Sequence, residues 1–155
     1  MDGKECAILV LEDDENDAIL LKRALKRLSV PNPIHIVTDG EEGIEYLTGR
    51  GKYADRSAFP FPGFIITDLK MPKKSGMEVL KWLSEHEQYR VIPTLVLTSS
   101  KEETDVAKAY GFGANSYMVK PADFQDLEKM MRLIHDYWTV CEKPGPTNRP
   151  NLADN

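Results

Sequence analysis

Long apolar runs are missing from this chain. No stretch approaches the ~18 residues that a membrane-crossing helix needs. The opening MDGKECAIL also lacks the basic-then-apolar order of a secretory leader. Cysteine is scarce: Cys6 and Cys141 stand at opposite ends, one opening an apolar run and one ending a helical stripe. That placement suits small core residues better than a disulfide. His35, His86 and His135 are scattered, with no Cys or His neighbour at ligand spacing, so no zinc site is expected. Charge of one sign is in only modest excess; a net charge of −5 supplies no electrostatic reason for nucleic acid or an anionic membrane as partner. The expectation is a cytoplasmic protein of one domain, since 155 residues suffice for one sizeable core.

What is present is an alternation. Five apolar runs of strand length each precede a longer amphipathic stretch. Cys6 to Leu11 is almost uninterrupted, as befits a strand buried on both faces. From Glu15 to about Ser29 the apolar residues Ala18, Leu21, Leu25 and Leu28 recur at helical spacing, until Pro31 and Pro33 intervene. Ile34 to Val37 is the second strand. Asp39 with Glu42 has the form of a capping box for the second helix, with Ile44 and Leu47 on its apolar face. A loop of about a dozen residues, rich in Gly and Pro from Gly49 to Gly63, leads to the strand Phe64 to Thr67. Ser75 with Glu78 caps a third helix bearing Met77, Leu80, Trp82 and Leu83. Thr94 to Leu97 is a strand, Ser100 with Glu103 caps a fourth helix ending near Gly111 and Gly113, and Ser116 to Val119 is the fifth strand. Asp123 opens the last helix. Short links between alternating strands and helices predict an α/β fold, a (βα)5 doubly wound five-stranded parallel sheet covered on both faces.

Ligands of such sheets bind at the carboxyl ends of the strands. Strand one runs into Glu12, Asp13 and Asp14; strand three ends at Asp68, strand four at Thr98, strand five at Lys120 followed by Pro121. Any one of these alone reads as a cap, turn or surface residue. Together, on one predicted edge, they form a chemical set. Clustered carboxylates repel unless a cation neutralises them, and hard oxygen donors suit Mg²⁺. A carboxylate beside that metal can attack a phosphoryl donor, while an ammonium and a hydroxyl stabilise the charge of the transferring group.

These residues resemble a known family, the CheY-like receiver domains of two-component response regulators. The segments LVLEDDENDAILL (9–21), ITDLKMPKKSGMEVL (66–80), TLVLTSS (94–100) and GANSYMVKP (113–121) carry the likeness. So do the separations of 30 residues from Asp68 to Thr98 and 22 from Thr98 to Lys120. The resemblance implies that Asp68 accepts a phosphoryl group from a histidine kinase or histidine phosphotransfer protein. It implies Mg²⁺ ligation by Asp13, Asp68 and the backbone carbonyl of Lys70, with Glu12 acting on the metal mainly through water and Asp14 left out. Thr98 resembles the switch hydroxyl, Tyr117 the aromatic that follows it, and Lys120 the lysine that pairs with the phosphoryl oxygens. A cis Lys120–Pro121 bond is expected with it. Two positions depart from the common pattern: Glu12 stands where many relatives have Asp, and Lys70 where a short polar residue is frequent, which puts the lifetime of the acyl phosphate in doubt. DGEEGIEYL, the long loop before strand three and MPKKSG resemble single-domain regulators paired with bacterial phytochrome kinases.

Two apolar stripes run along the last helix. Phe124, Leu127, Met131, Ile134, Trp138 and Cys141 make one core-facing stripe; Met130, Leu133 and Tyr137 make a second beside it. The second is either the margin of a broad core face or a homodimer contact. The receiver domain is bounded at 5–141, and the Pro-rich tail 142–155 is expected to be disordered. No segment remains for an output domain, so output is expected through protein contact or a phosphorelay. Two other functions compete. A Mg²⁺-dependent phosphohydrolase would use the same Asp nucleophile, but such enzymes usually place a second Asp two residues on, where this chain has Lys70. A flavodoxin-like cofactor binder needs a Gly- or Ser/Thr-rich loop after strand one, and none follows.

Overall fold

The computed structural model describes residues 6–141. The tail expected at 142–155 and the first residue of the expected domain lie outside them. Five strands, β1 (Ala7–Leu11), β2 (Ile34–Val37), β3 (Pro62–Thr67), β4 (Thr94–Thr98) and β5 (Ser116–Val119), pair in parallel in the order β2-β1-β3-β4-β5. Five helices alternate with them: α1 (Glu15–Arg27), α2 (Gly40–Thr48), α3 (Gly76–Glu85), α4 (Glu103–Gly111) and α5 (Phe124–Val140). The predicted (βα)5 doubly wound sheet is the observed fold.

Strand alternation divides the apolar residues between two layers. Ile8 and Val10 of β1, with Phe64, Ile66, Leu95 and Leu97, pack under α1 and α5 against Leu21, Leu25, Leu127, Met131 and Ile134. Leu9, Leu11 and Ile65 face the other way, onto Leu47, Val79 and Leu83 of α2 and α3. Every residue of β1 and β4 is therefore buried, which is why their sequences show no polar alternation. Edge strand β5 stays half-exposed throughout.

Local chemistry differs from expectation at several points. The long loop carries a 3-10 helix at Gly51–Ala54, and its aromatics are packed. Tyr53 lies 4.9 Å from the Tyr46 ring and 5.0 Å from Phe59, so the insertion builds its own small core over β2 and α2. In α3 the buried apolar side chains are Val79, Leu80 and Leu83, while Met77 and Trp82 are half-buried. Ser100 does not cap α4. The cap position is Glu102 without a side-chain bond; the Ser100 hydroxyl accepts from the Glu102 N–H and donates to Asp105, so it closes a turn before the helix instead. Asp39, Ser75 and Asp123 cap α2, α3 and α5 as expected. No peptide bond among the described residues is cis, so Lys120–Pro121 is trans. The trans preference of an X–Pro bond is under about 1 kcal/mol, too small for sequence to decide the isomer.

One glycine governs how the fold meets the site. Gly76, the first residue of α3, donates its N–H to the Leu69 carbonyl at 2.9 Å. A Cβ there would collide with the backbone carbonyl of Asp68, which cannot yield without moving the strand end. Gly76→Ala is expected to destabilise the protein by ~2–3 kcal/mol in urea unfolding; a loss below ~0.5 kcal/mol would show that the Asp68 backbone is not confined there.

Candidate functional site

Strand order explains where the polar residues converge. The chain winds from β1 outward to β2, then returns to place β3 on the opposite side of β1. The carboxyl ends of β1 and β3 therefore flank the switch point, and the residues just past them are Glu12, Asp13 and Asp68. Register keeps the ends level, with Leu11 opposite Thr67. The Asp68 N–H is fixed by the Leu11 carbonyl at 3.0 Å.

Glu12, Asp13 and Asp68 each bring a carboxylate oxygen within 4.8 Å of the others. Asp13 is exposed, Glu12 is buried and Asp68 nearly so. Such a donor set fits a small divalent cation bound on the solvent side with water completing its shell. Burial pushes the Glu12 carboxyl above the usual carboxylate range, against the pull of Lys120. At Asp68 burial acts the same way. It is outweighed there by hydrogen bonds from Lys120 and the Thr98 hydroxyl, by the Lys120 charge and by the Leu69 N–H, so Asp68 lies below the usual range and is ionised. The Leu69 N–H donates to Asp68 Oδ1 at 2.7 Å.

Lys120 joins the set from the far side. Its Nζ donates to Asp68 Oδ2 at 2.7 Å and to Glu12 Oε1 at 2.5 Å. The Lys120 N–H donates to the Thr98 carbonyl at 2.7 Å, which places the root of its side chain beside β4. Burial would lower the ammonium's pKa, but the surrounding carboxylates raise it above the ordinary lysine value, and it stays charged. Thr98 is buried at the end of β4, and its Oγ accepts from the Ser100 N–H at 3.4 Å. Tyr117 is half-buried and its hydroxyl donates to the Ser100 carbonyl at 2.9 Å. A hydrogen-bonded path thus runs from Asp68 through Thr98 and Ser100 to Tyr117. Lys70 is exposed and lines, with Asp68, Thr98 and Lys101, an open cleft of about 410 Å³.

Glu12, Asp13, Asp68 and Lys120 are brought together, Thr98 and Lys70 line the cleft beside Asp68, Tyr117 joins through Ser100, and one residue, Asp17, was missed. Asp14 is exposed, as expected, but its side chain caps α1 by accepting from the Asp17 N–H at 2.9 Å. Asp17 in turn accepts from Lys120 Nζ at 2.9 Å. The available signal was the spacing of Asp14 and Asp17 on one face of the first helical turn, pointing back over the strand ends.

The Response regulator receiver domain family matches residues 8–132. The response regulator Rcp1 of Synechocystis sp. is 34% identical over 84% of this chain and 87% of its own. The probable methanogenesis regulatory protein FilR2 of Methanothrix harundinacea is 35% identical over 90% of this chain and 88% of its own. The crystal structure of the phosphorylated cyanobacterial phytochrome response regulator RcpA superposes with a TM-score of 0.83 at 32% identity, covering 91% of this chain and 99% of that one. Rcp1 has been solved in an Mn²⁺-bound form, with a TM-score of 0.81 at 33% identity, covering 90% of this chain and 99% of that one.

The carboxylate geometry gives a direct expectation for metal. Calorimetric titration with Mg²⁺ is expected to show about tenfold weaker binding by Asp13→Asn than by the parent protein; equal affinity would remove Asp13 from the ligand set.

Proposed function

Because the chain belongs to the response regulator receiver family, we propose that it is a phosphorylation switch that accepts a phosphoryl group on Asp68 from a histidine kinase or histidine phosphotransfer protein in the cytoplasm. The observation that carries this reading is the setting of Asp68. Its carboxylate stands at the sheet's switch point, clustered with the acids Glu12 and Asp13 and bonded by the Lys120 ammonium at 2.7 Å. The likeness to phytochrome regulators supports a phytochrome-type kinase as the donor.

Asp68 supplies the nucleophilic oxygen. A bond forms between that oxygen and phosphorus as the bond from phosphorus to the donor's imidazole nitrogen breaks, leaving an acyl phosphate. Glu12, Asp13, Asp68 and the Lys70 carbonyl would hold Mg²⁺, which supplies charge neutralisation for the transferring group. Lys120 redirects one of its N–H hydrogen bonds from Asp68 to a phosphoryl oxygen. The Thr98 hydroxyl turns to the same group, and the Ser100 backbone it leaves is the one held by Tyr117. The β4–α4 turn therefore senses the phosphoryl group, and Tyr117 carries the change to the surface. The chain is read as a switch rather than an enzyme: the phosphohydrolase alternative wants a carboxylate at position 70, where Lys70 stands. Lys70, exposed at the cleft, is instead placed to influence how long the acyl phosphate lasts.

Output through a second copy is supported by α5. Leu133 and Tyr137 are each 67% exposed, while Met130 packs on the core margin. The second stripe is thus split, and its outer half is an apolar surface suited to a homodimer.

Incubation with acetyl phosphate and Mg²⁺ is expected to add the mass of one phosphoryl group to the parent protein and none to Asp68→Asn; a variant still modified to the same extent would move the acceptor elsewhere. Sedimentation at tens of micromolar is expected to show dimers that Leu133→Ser with Tyr137→Ser converts to monomers, and a parent protein that is monomeric with and without a phosphoryl mimic would exclude this contact.

A further inference from the structure

An ammonium carries three N–H bonds, and here each has its own carboxylate: Glu12 from the end of β1, Asp68 from the end of β3 and Asp17 from the first turn of α1. The three partners are not equivalent. Glu12 and Asp68 belong to the acid cluster that suits a metal, and Asp68 is also the group to be phosphorylated; Asp17 belongs to neither role. Its side chain is 41% exposed, against 6% for Glu12 and 11% for Asp68. Asp17 is itself held, because its N–H donates to the Asp14 cap and the helix behind it is anchored by Ala18 and Leu21 in the core.

Resting on the phosphorylation reading above, we propose that Asp17 is a positioning residue for Lys120, the one anchor that the ammonium keeps when the metal and the phosphoryl group claim its other two partners. Lys120 must then give up Asp68 Oδ2 for a phosphoryl oxygen without leaving the site. A small cavity of about 50 Å³ adjoins Asp17 and Lys120 between α1 and α5, bordered by Leu20, Leu97 and Leu127. Released from Asp17, the ammonium has room to drift. Anchored by Asp17, it pivots. The contact spans 103 residues of chain and ties the start of α1 to the end of β5, so the position of α1 is coupled to that of the phosphoryl-binding lysine.

The test separates hydrogen bonding from charge. Asp17→Asn keeps an oxygen that accepts the same N–H, and Asp17→Ala keeps none. With acetyl phosphate and Mg²⁺, Asp17→Ala is expected to phosphorylate about fivefold more slowly at saturating donor, with half-saturation unchanged. Asp17→Asn is expected to stay within about twofold of the parent. Nitrogen-15 NMR of the Lys120 ammonium, read without any donor, should show a slowly exchanging signal in the parent and in Asp17→Asn that broadens in Asp17→Ala. Thermal melting reports whether Asp17→Ala remains folded. Parent-like rates and ammonium signal in Asp17→Ala would overturn the proposal, as would Asp17→Asn failing as badly as Asp17→Ala. If the parent protein takes no phosphoryl group at all, the phosphorylation reading itself falls, whatever the ammonium signal shows.

Discussion

One cation holds this site together. The Lys120 ammonium stands among three carboxylates from three places in the chain, two of them largely buried and the third, Asp17, open to solvent. Acids so close repel one another, and burial by itself disfavours the charged forms of Glu12 and Asp68. Hydrogen bonds from Lys120, Thr98 and the Leu69 N–H, with the Lys120 charge, outweigh burial and hold the Asp68 carboxyl below its usual range. Removing one partner of a buried ion pair typically costs roughly 3–5 kcal/mol, since the other is left uncompensated. The site is therefore a part of the fold.

The sheet topology makes that arrangement possible. Level strand ends at the β1–β3 switch point put Glu12, Asp13 and Asp68 on the solvent edge, and β4 and β5 bring Thr98 and Lys120 up beside them. The backbone there has little freedom: Gly76 closes on the Asp68 carbonyl, and Leu11 holds the Asp68 N–H. Thr98, Ser100 and Tyr117 are linked by single hydrogen bonds that a phosphoryl group can outbid.

Much of this was legible in the sequence. Strand-end residues announce themselves because they directly follow apolar runs of strand length, so Glu12, Asp13, Asp68, Thr98 and Lys120 stood out as a set by position, and their roles came from the family resemblance. Asp17 was hidden, because a helical acid among other acids reads as a solvated face until its partner, 103 residues away, is placed beside it. Ser100 misled for a related reason: a Ser–x–x–Glu pattern satisfies the rule for a cap, but here Asp105 took the hydroxyl and the helix began later. The packed aromatics around Tyr53 fell in a segment rich in Gly and Pro, whose composition speaks for a loop and says nothing of its rings. The Lys120–Pro121 isomer was beyond reach, since the energy difference is small and the surrounding chain decides it.

The central claim is that Asp68, and no neighbouring acid, becomes the acyl phosphate. Borohydride reduces an aspartyl phosphate to homoserine, which marks the residue permanently. Tandem mass spectrometry of the reduced, phosphorylated protein is predicted to find homoserine at position 68 alone. Reduction products at Glu12, Asp13 or Asp17, or none at position 68 in protein shown to carry phosphate, would contradict the account.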